Sequence, residues 1–276
     1  MSREVCLFLH LPKTAGSTLK ACLWDEYAIE SANDDGWFHD GIYYFPSGFH
    51  KARRPRFGRA TRAALARDDL RAVTGHFWFG VHRHVPRPSV YVTLLREPVE
   101  RVVSLYHHIL RAGGERYHDE VVARGASLEE FVSTFGCREV DNDQTRRIAG
   151  VEPPFGEVDA AVLERAKRNL RGFAFVGLTE RFDESLVALK RRLGWEYVLY
   201  LPALVNRDRP ALAALPPAAV AAIEAHNEHD RALYEYAERL LDDEIAAGGE
   251  AFAAELAELR ARNAEHVARY GHVVAY

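Results

Sequence analysis

Two junctions between an apolar strand and an amphipathic helix constrain this chain more than anything else in it. At the first, the short apolar run 5–11 stops at Pro12, and helical periodicity takes over from Ser17 to about Tyr27. At the second, a strand pattern over 90–95 leads to Pro98, a favoured first residue of a helix. Val99, Val102, Val103 and Tyr106 then recur at the i, i+3, i+4, i+7 spacing of one apolar face. Further strand patterns at 72–75 and 173–178 alternate with helical patterns at 59–68, 127–135, 141–149, 158–170, 182–193 and 217–247, and the Ala/Glu/Leu/Arg-rich C-terminal stretch also reads as helix. Strands alternating with helices predict an α/β fold whose mostly parallel sheet is covered by helices.

With 276 residues, the chain has the length of one large α/β domain, 1–276. Within it, 28–58 loses periodicity and gathers Gly and aromatics, a long loop of the kind that walls a pocket, and 217–276 reads as a helical C-terminal extension. A formal charge of −4 argues against a general nucleic-acid binder. Cys6, Cys22 and Cys137 are odd in number and form no C-x-x-C pair, which predicts neither a disulfide framework nor a zinc site and favours a reducing compartment. No N-terminal apolar run is long enough to span a bilayer or is followed by a small-residue cleavage site, so the expectation is a soluble, cytoplasmic protein with no membrane span.

Between the first strand and its helix lies "HLPKTAGSTL", residues 10–19. In an open α/β sheet, ligands bind outside the carboxyl ends of the strands, where this loop falls. The first N–H groups of a helix have no intrahelical partner and carry partial positive charge, so a Gly-containing turn into a helix suits a phosphate. Lys13 adds a full charge, Gly16 allows close backbone approach, and Thr14, Ser17 and Thr18 add hydroxyls. The lysine comes at the start of this loop; in a Walker A loop it stands at the far end, beside the helix and the hydroxyl that holds magnesium. Taken alone, the loop fits a phosphate cradle and an ordinary strand-to-helix turn equally well. The second junction, "VTLLREPVERVVSLYHH" at 92–108, ends its strand on Arg96 and carries Ser104 on its helix, an arginine fork beside a hydroxyl that suits a second phosphate. Its plainer alternative is Arg96 paired with Glu97 or Glu100.

Taken together, "LPKTAGST" resembles the 5′-phosphosulfate loop of the sulfotransferases, and Arg96 with Ser104 resembles their 3′-phosphate site. "GHFWFG" and "LLREPVERVVSLYHH" are most similar to the branch holding the heparan sulfate 2-O- and 6-O-sulfotransferases and bacterial relatives. The resemblance is strong over about 5–110 and weaker at "DNDQTRRIAG" and "FVGLTERFDESL". It implies a P-loop-NTPase-like parallel sheet flanked by helices and a co-substrate, 3′-phosphoadenosine 5′-phosphosulfate (PAPS), used without a metal. Lys13, Thr14, Ala15, Gly16, Ser17 and Thr18 would cradle the phosphosulfate; Arg96 and Ser104 would hold the 3′-phosphate. The acceptor would be a hydroxyl, of a glycan or glycoconjugate. Animal members of the branch carry an N-terminal anchoring span, a departure that withholds their particular substrates from this chain while leaving the chemistry.

Sulfuryl transfer needs a cation at the leaving phosphate, which Lys13 supplies, and a base for the acceptor hydroxyl. Of 13 histidines, His76 follows the strand 72–75 and so emerges at the same sheet edge as both loops; the related branch uses a histidine in a comparable stretch. His82 and His84 follow it as alternatives, and His10 is read as packing or positioning Lys13. Phe77, Trp78 and Phe79 are read as a sugar platform or as core. The stretch 51–62, with six cations and no acid, is a lure for an anionic acceptor or a solvated loop, and Gln144, Arg146 and Arg147 are acceptor contacts or a polar helix face. Two other functions remain open: a P-loop small-metabolite phosphotransferase, which would need magnesium and ATP, and a non-catalytic nucleotide-binding protein.

Overall fold

The computed structural model describes residues 4–28, 37–45, 58–196, 198–202 and 211–271. Strand β1 (Val5–Leu9) is fully buried along its length, so its side chains meet core on both faces of the sheet, and an unbroken apolar run is what such a strand requires. Flanking it are β4 (Ala72–Gly75) and β5 (Ser89–Leu95), both parallel to it, with Leu9 opposite Gly75 and Phe8 opposite Val92. β6 (Phe175–Leu178) extends the sheet beyond β5, and β3 (Ile42–Tyr44) extends it beyond β4. A two-residue edge strand, β2 (Phe38–His39), runs antiparallel to β3. The order β2-β3-β4-β1-β5-β6 puts the chain's first strand in the middle. Consecutive connections leave β1 in opposite directions, and the crevice this creates at the strands' carboxyl ends is the usual ligand site of such folds.

Helix α1 (Gly16–Tyr27) follows β1, α2 (Arg59–Leu65) precedes β4, and α3 (Pro98–Arg111) follows β5. Pro98 does begin α3, and the preceding Glu97 caps it by accepting the Glu100 N–H at 2.8 Å. The apolar face of α3 packs into a second hydrophobic cluster with α4 (His118–Arg124), α5 (Leu128–Thr134) and α9 (Pro217–His226), separate from the main core around the sheet. Then come α6 (Asp143–Ala149), α7 (Ala160–Arg171), α8 (Phe182–Leu193) and the 43-residue α10 (Glu228–Tyr270), broken at Gly249.

Most helix and strand patterns fall within two residues of their elements; the pattern over 217–247 is instead two helices parted at Asn227, the second running on to Tyr270. The aperiodic stretch 28–58 contributes β2 and β3 to the sheet; its residues 29–36 and 46–57, and with them most of the basic stretch 51–62, lie outside the described residues. All three cysteines are buried free thiols. Among the described residues, no helix is long and apolar enough to cross a membrane.

Candidate active site

The loops leaving β1, β4 and β5 meet at one edge of the sheet, and side-chain hydrogen bonds to main-chain carbonyls tie two of them to the first. Arg96, at the end of β5, donates from Nη1 to the Lys13 carbonyl at 3.1 Å. His76, just after β4, meets the His10 carbonyl through Nδ1 at 2.7 Å.

The β1–α1 loop is strained. Lys13 and Ala15 both lie in the left-handed region, with φ of 68° and 56°, and α1 starts without a side-chain cap. Left-handed residues within a tight turn aim successive N–H groups into a concavity, and the uncapped helix start adds its own donors, an arrangement suited to an anion. Thr14 is fully buried and its Oγ1 donates inward to the Leu11 carbonyl at 2.9 Å, so its hydroxyl braces the loop, leaving its backbone N–H as the group it offers the cradle. The chain's own packing gives Gly16 a further reason. A Cβ built there would lie 1.9 Å from the His10 ring, so the close approach at this position is to an imidazole of the same chain.

Lys13 is half-buried, and its ammonium is pulled down to about 8, first by burial and then by the charges of Arg111 and Arg96, against the opposing pull of Glu115. Burial, Lys13 and Arg111 likewise lower His108, with Glu115 opposing. The C-terminal half of α3 therefore runs beside the loop. Ser104 lies on α3 between Glu100 and His108 at helical spacing and shares their face. Arg111 and Glu115 complete this wall and went unrecognised in the sequence. No periodic signal distinguishes a charged helix end beside a site from one in solvent.

Arg96 pairs with Glu100 at 2.9 Å, the plainer alternative, and at the same time reaches the cradle; its Nε lies 3.8 Å from Glu180, whose carboxyl burial pushes up. Its main chain is clasped on both sides by one carboxamide: Gln144 Oε1 accepts the Arg96 N–H at 2.9 Å and Gln144 Nε2 donates to the Arg96 carbonyl at 2.9 Å.

Hydrogen-bond logic separates the candidate bases. A carbonyl only accepts, so His76 Nδ1 carries the proton and Nε2 the lone pair. For His82 the order is reversed. The Tyr91 hydroxyl accepts the N–H groups of Gly80 and His82, each at 3.1 Å, so its own proton points to His82 Nδ1 at 3.0 Å, which leaves His82 Nε2 protonated. Both lone pairs of the hydroxyl are engaged, and His82 in this tautomer is a donor at Nε2. His84 sits two residues on, lowered by burial and by Arg62 and Arg83. His10 is held well below the ordinary histidine range by burial, then by His76, Lys20, Arg147 and Lys13, and is uncharged.

The aromatic triplet after His76 anchors its loop. Phe77 is fully buried, 5.1 Å from the Phe45 ring; Phe79 lies 5.0 Å from Tyr91 and 5.9 Å from Phe173; Trp78 covers the Arg147 guanidinium at 5.4 Å. Phe77 therefore fills core, and the half-buried Phe79 packs against it.

Helix α6 also departs from expectation. Gln144, Arg146 and Arg147 are buried, neither a solvated face nor an open contact surface. Arg146 is held by Asp141 and by the carbonyls of Pro153 and Pro154, and Arg147 by Asp143 at 2.8 Å. The Asp230 carboxylate of α10 accepts the N–H groups of Gln144 and Thr145 at 3.1 and 2.7 Å, while the Asn142 side chain accepts those of His229 and Asp230 at 2.9 and 3.0 Å. The starts of α6 and α10 thus cap each other. The Arg147 carbonyl in turn accepts the Phe79 N–H at 2.9 Å, so α6 holds both the β4 loop and, through Gln144, the β5 loop. Among the described residues, no group of three or more His, Cys, Asp or Glu is arranged to hold a metal ion.

Comparison with known proteins adds an independent line. The galactose-3-O-sulfotransferase family model matches residues 152–270, outside the loops that carry the resemblance above. Human galactose-3-O-sulfotransferase 3 is 29% identical over 283 residues, covering 92% of this chain and 61% of the relative. Human heparan-sulfate 6-O-sulfotransferase 1 is 28% identical over 281 residues, covering 86% and 65%, and zebrafish (Danio rerio) heparan-sulfate 6-O-sulfotransferase 2 is 28% identical, covering 86% and 58%. The chain spans about three fifths of the length of these curated relatives. Over most of its own length, the chain is similar to sulfotransferases named for galactose and heparan sulfate, and the resemblance its two loops carry is shown.

Proposed function

We propose that this protein transfers a sulfuryl group from PAPS to a hydroxyl of a carbohydrate. One observation carries the reading: the loops bearing Arg96 and His76 are both bonded to main-chain carbonyls of the anion-binding loop, which sets a cation pair and a basic imidazole nitrogen around one crevice. The donor set fits a nucleotide with two anionic ends. Backbone N–H groups and Lys13 at the start of α1 suit the phosphosulfate, and Arg96 with Ser104 on α3 suits the 3′-phosphate.

In this mechanism His76 Nε2 takes the proton of the acceptor hydroxyl as its oxygen bonds to sulfur. The bond from sulfur to the bridging oxygen breaks, and Lys13 stabilises the charge that the departing phosphate gains. The remaining work is positioning, as in other in-line group transfers. Arg96 anchors the nucleotide, and Gln144 anchors Arg96.

The test joins a transfer assay with a binding assay. Labelled sulfate from PAPS should appear on carbohydrate acceptors without added magnesium. Adenosine 3′,5′-bisphosphate at about 100 Kd should stabilise the protein by about 2.7 kcal/mol, well beyond ADP, and Arg96→Ala should erase most of that difference. Equal shifts for the two nucleotides, or phosphate transfer from ATP with magnesium in place of sulfate transfer, overturns the reading.

A further inference from the structure

His10 directly follows β1, three residues before Lys13, and meets the β4 loop and the start of α1. Its N–H bonds the Gly75 carbonyl at 3.2 Å, which locks it beside the residue preceding His76. Its carbonyl takes the His76 Nδ1 proton at 2.7 Å. Its ring stacks on Phe8, with centroids 5.3 Å apart and planes 11° from parallel, and lies 4.3 Å from the His76 ring. Its Cδ2–Nε2–Cε1 edge presses on Gly16, where even a methyl group would fall 1.9 Å from ring atoms. The imidazole thus contacts both the first turn of α1 and the ring of His76. Burial first, and then His76 after β4, Lys20 on α1, Arg147 on α6 and Lys13 in the loop, hold it well below the ordinary histidine range, so it does not itself exchange protons at neutral pH.

We propose that His10 is a positioning residue. Its carbonyl fixes which nitrogen of His76 is basic, and its ring, wedged against Gly16, sets the spacing between His76 and the anion loop. The inference rests on the proposed role of His76 and adds to it a mechanical link between the base and the loop that receives the donor. It also accounts for Gly16 from this chain's own packing.

The experiment measures kcat, the KM for PAPS and the Kd for adenosine 3′,5′-bisphosphate in His10→Ala, His10→Phe and His76→Ala. Removing the ring frees His76 to shift, so His10→Ala should lose about tenfold to a hundredfold in kcat with KM and Kd within about twofold of the parent. His10→Phe restores an uncharged ring of similar breadth and should recover most of kcat. A kcat at the parent's level in His10→Ala beside an inactive His76→Ala removes this inference alone; full activity of His76→Ala removes the base assignment and this inference with it. Equal losses in kcat and bisphosphate affinity, or no recovery in His10→Phe, also overturn it. The wedge has its own readout that needs no turnover. Gly16→Ala should lower the melting temperature, and adding His10→Ala should raise it again by making room for the methyl group. A double variant no more stable than Gly16→Ala overturns the wedge.

Discussion

The β1–α1 loop and helix α6 are both rich in polar groups, and they use them in opposite ways. In the loop, the backbone is strained at Lys13 and Ala15, the helix start lacks a side-chain cap, and the lysine is kept short of full ionisation at high pH by burial and neighbouring cations. In α6 and the residues just before it, Asp141, Asp143, Gln144, Arg146 and Arg147 are almost all taken up inside the protein, and the helix start is capped from α10. On the function proposed above, the first region holds donors and charge for a ligand outside the chain. The second uses them to hold the first in shape. Polar residues that look alike in sequence thus divide into those awaiting a ligand and those that position them, and the division follows from whether their partners lie within the chain.

The largest effect should come from the waiting region. Lys13→Ala removes the cation at the leaving group and should lower kcat about a hundredfold or more, roughly 3 kcal/mol, while bisphosphate affinity changes by less than tenfold. A parallel fall in both places Lys13 in general anion binding and weakens the contrast with α6.

Next comes the pH dependence of the same residue. The free protein's Lys13 titrates at about 8, and a bound phosphate favours the charged form, so its value rises in the complex. Below 8 the lysine is charged in both states and contributes no pH dependence. Above 8, binding must take up a proton, and bisphosphate affinity should fall, by at most tenfold per pH unit, until the raised value in the complex is passed. Titration calorimetry in buffers of different ionisation enthalpy measures that proton uptake. Its persistence in Lys13→Ala would assign it to another group.

The smallest effect belongs to the supporting region. Gln144→Leu leaves the Arg96 main-chain N–H and carbonyl without their partner and should cost about 1–3 kcal/mol of stability. Bisphosphate affinity should fall only several-fold, since the Arg96 guanidinium is still present. A loss as large as that of Arg96→Ala would make Gln144 a ligand contact and erase the distinction between the two regions.

Sequence patterns carried the parts of the fold that rest on local physics. β1 and β5 are apolar because both sheet faces are covered, α3 opens on Pro98 after a capping Glu97, and three loops meet because their strands are parallel neighbours of β1. Elements too short to show a period were missed: β2 and β3 have two and three residues, and α4 begins after Tyr117 with φ of 73°. The break at Asn227 was hidden because both flanking segments have helical composition, whereas Asn227 itself turns its side chain to the carbonyls of Val140 and Ile223. The buried state of α6 was illegible for a related reason. Gln144 meets Arg96 and Asp230, 48 and 86 positions away, and nothing within the helix's own seven residues announces those partners. His10 lay in plain view beside the loop, but only geometry connects its ring with Gly16.

Gly249 interrupts α10 with φ 53° and ψ −139°, a backbone state that an L-residue reaches only at a cost, although a Cβ there would meet nothing within 4 Å. The distal arm then folds back over the sheet's flank: Phe252 and Leu259 join the main core, and Asn263 accepts the Tyr200 N–H at 2.8 Å. Its partner on the near side of the break, the turn containing Asp230, buttresses α6. A residue that prefers to continue the helix at this point would therefore swing the tail away from the flank while leaving Leu233, Tyr234, Ala237, Leu241 and the Asp230 buttress in place, so both halves of one long helix cover the core and the near half alone also underpins α6.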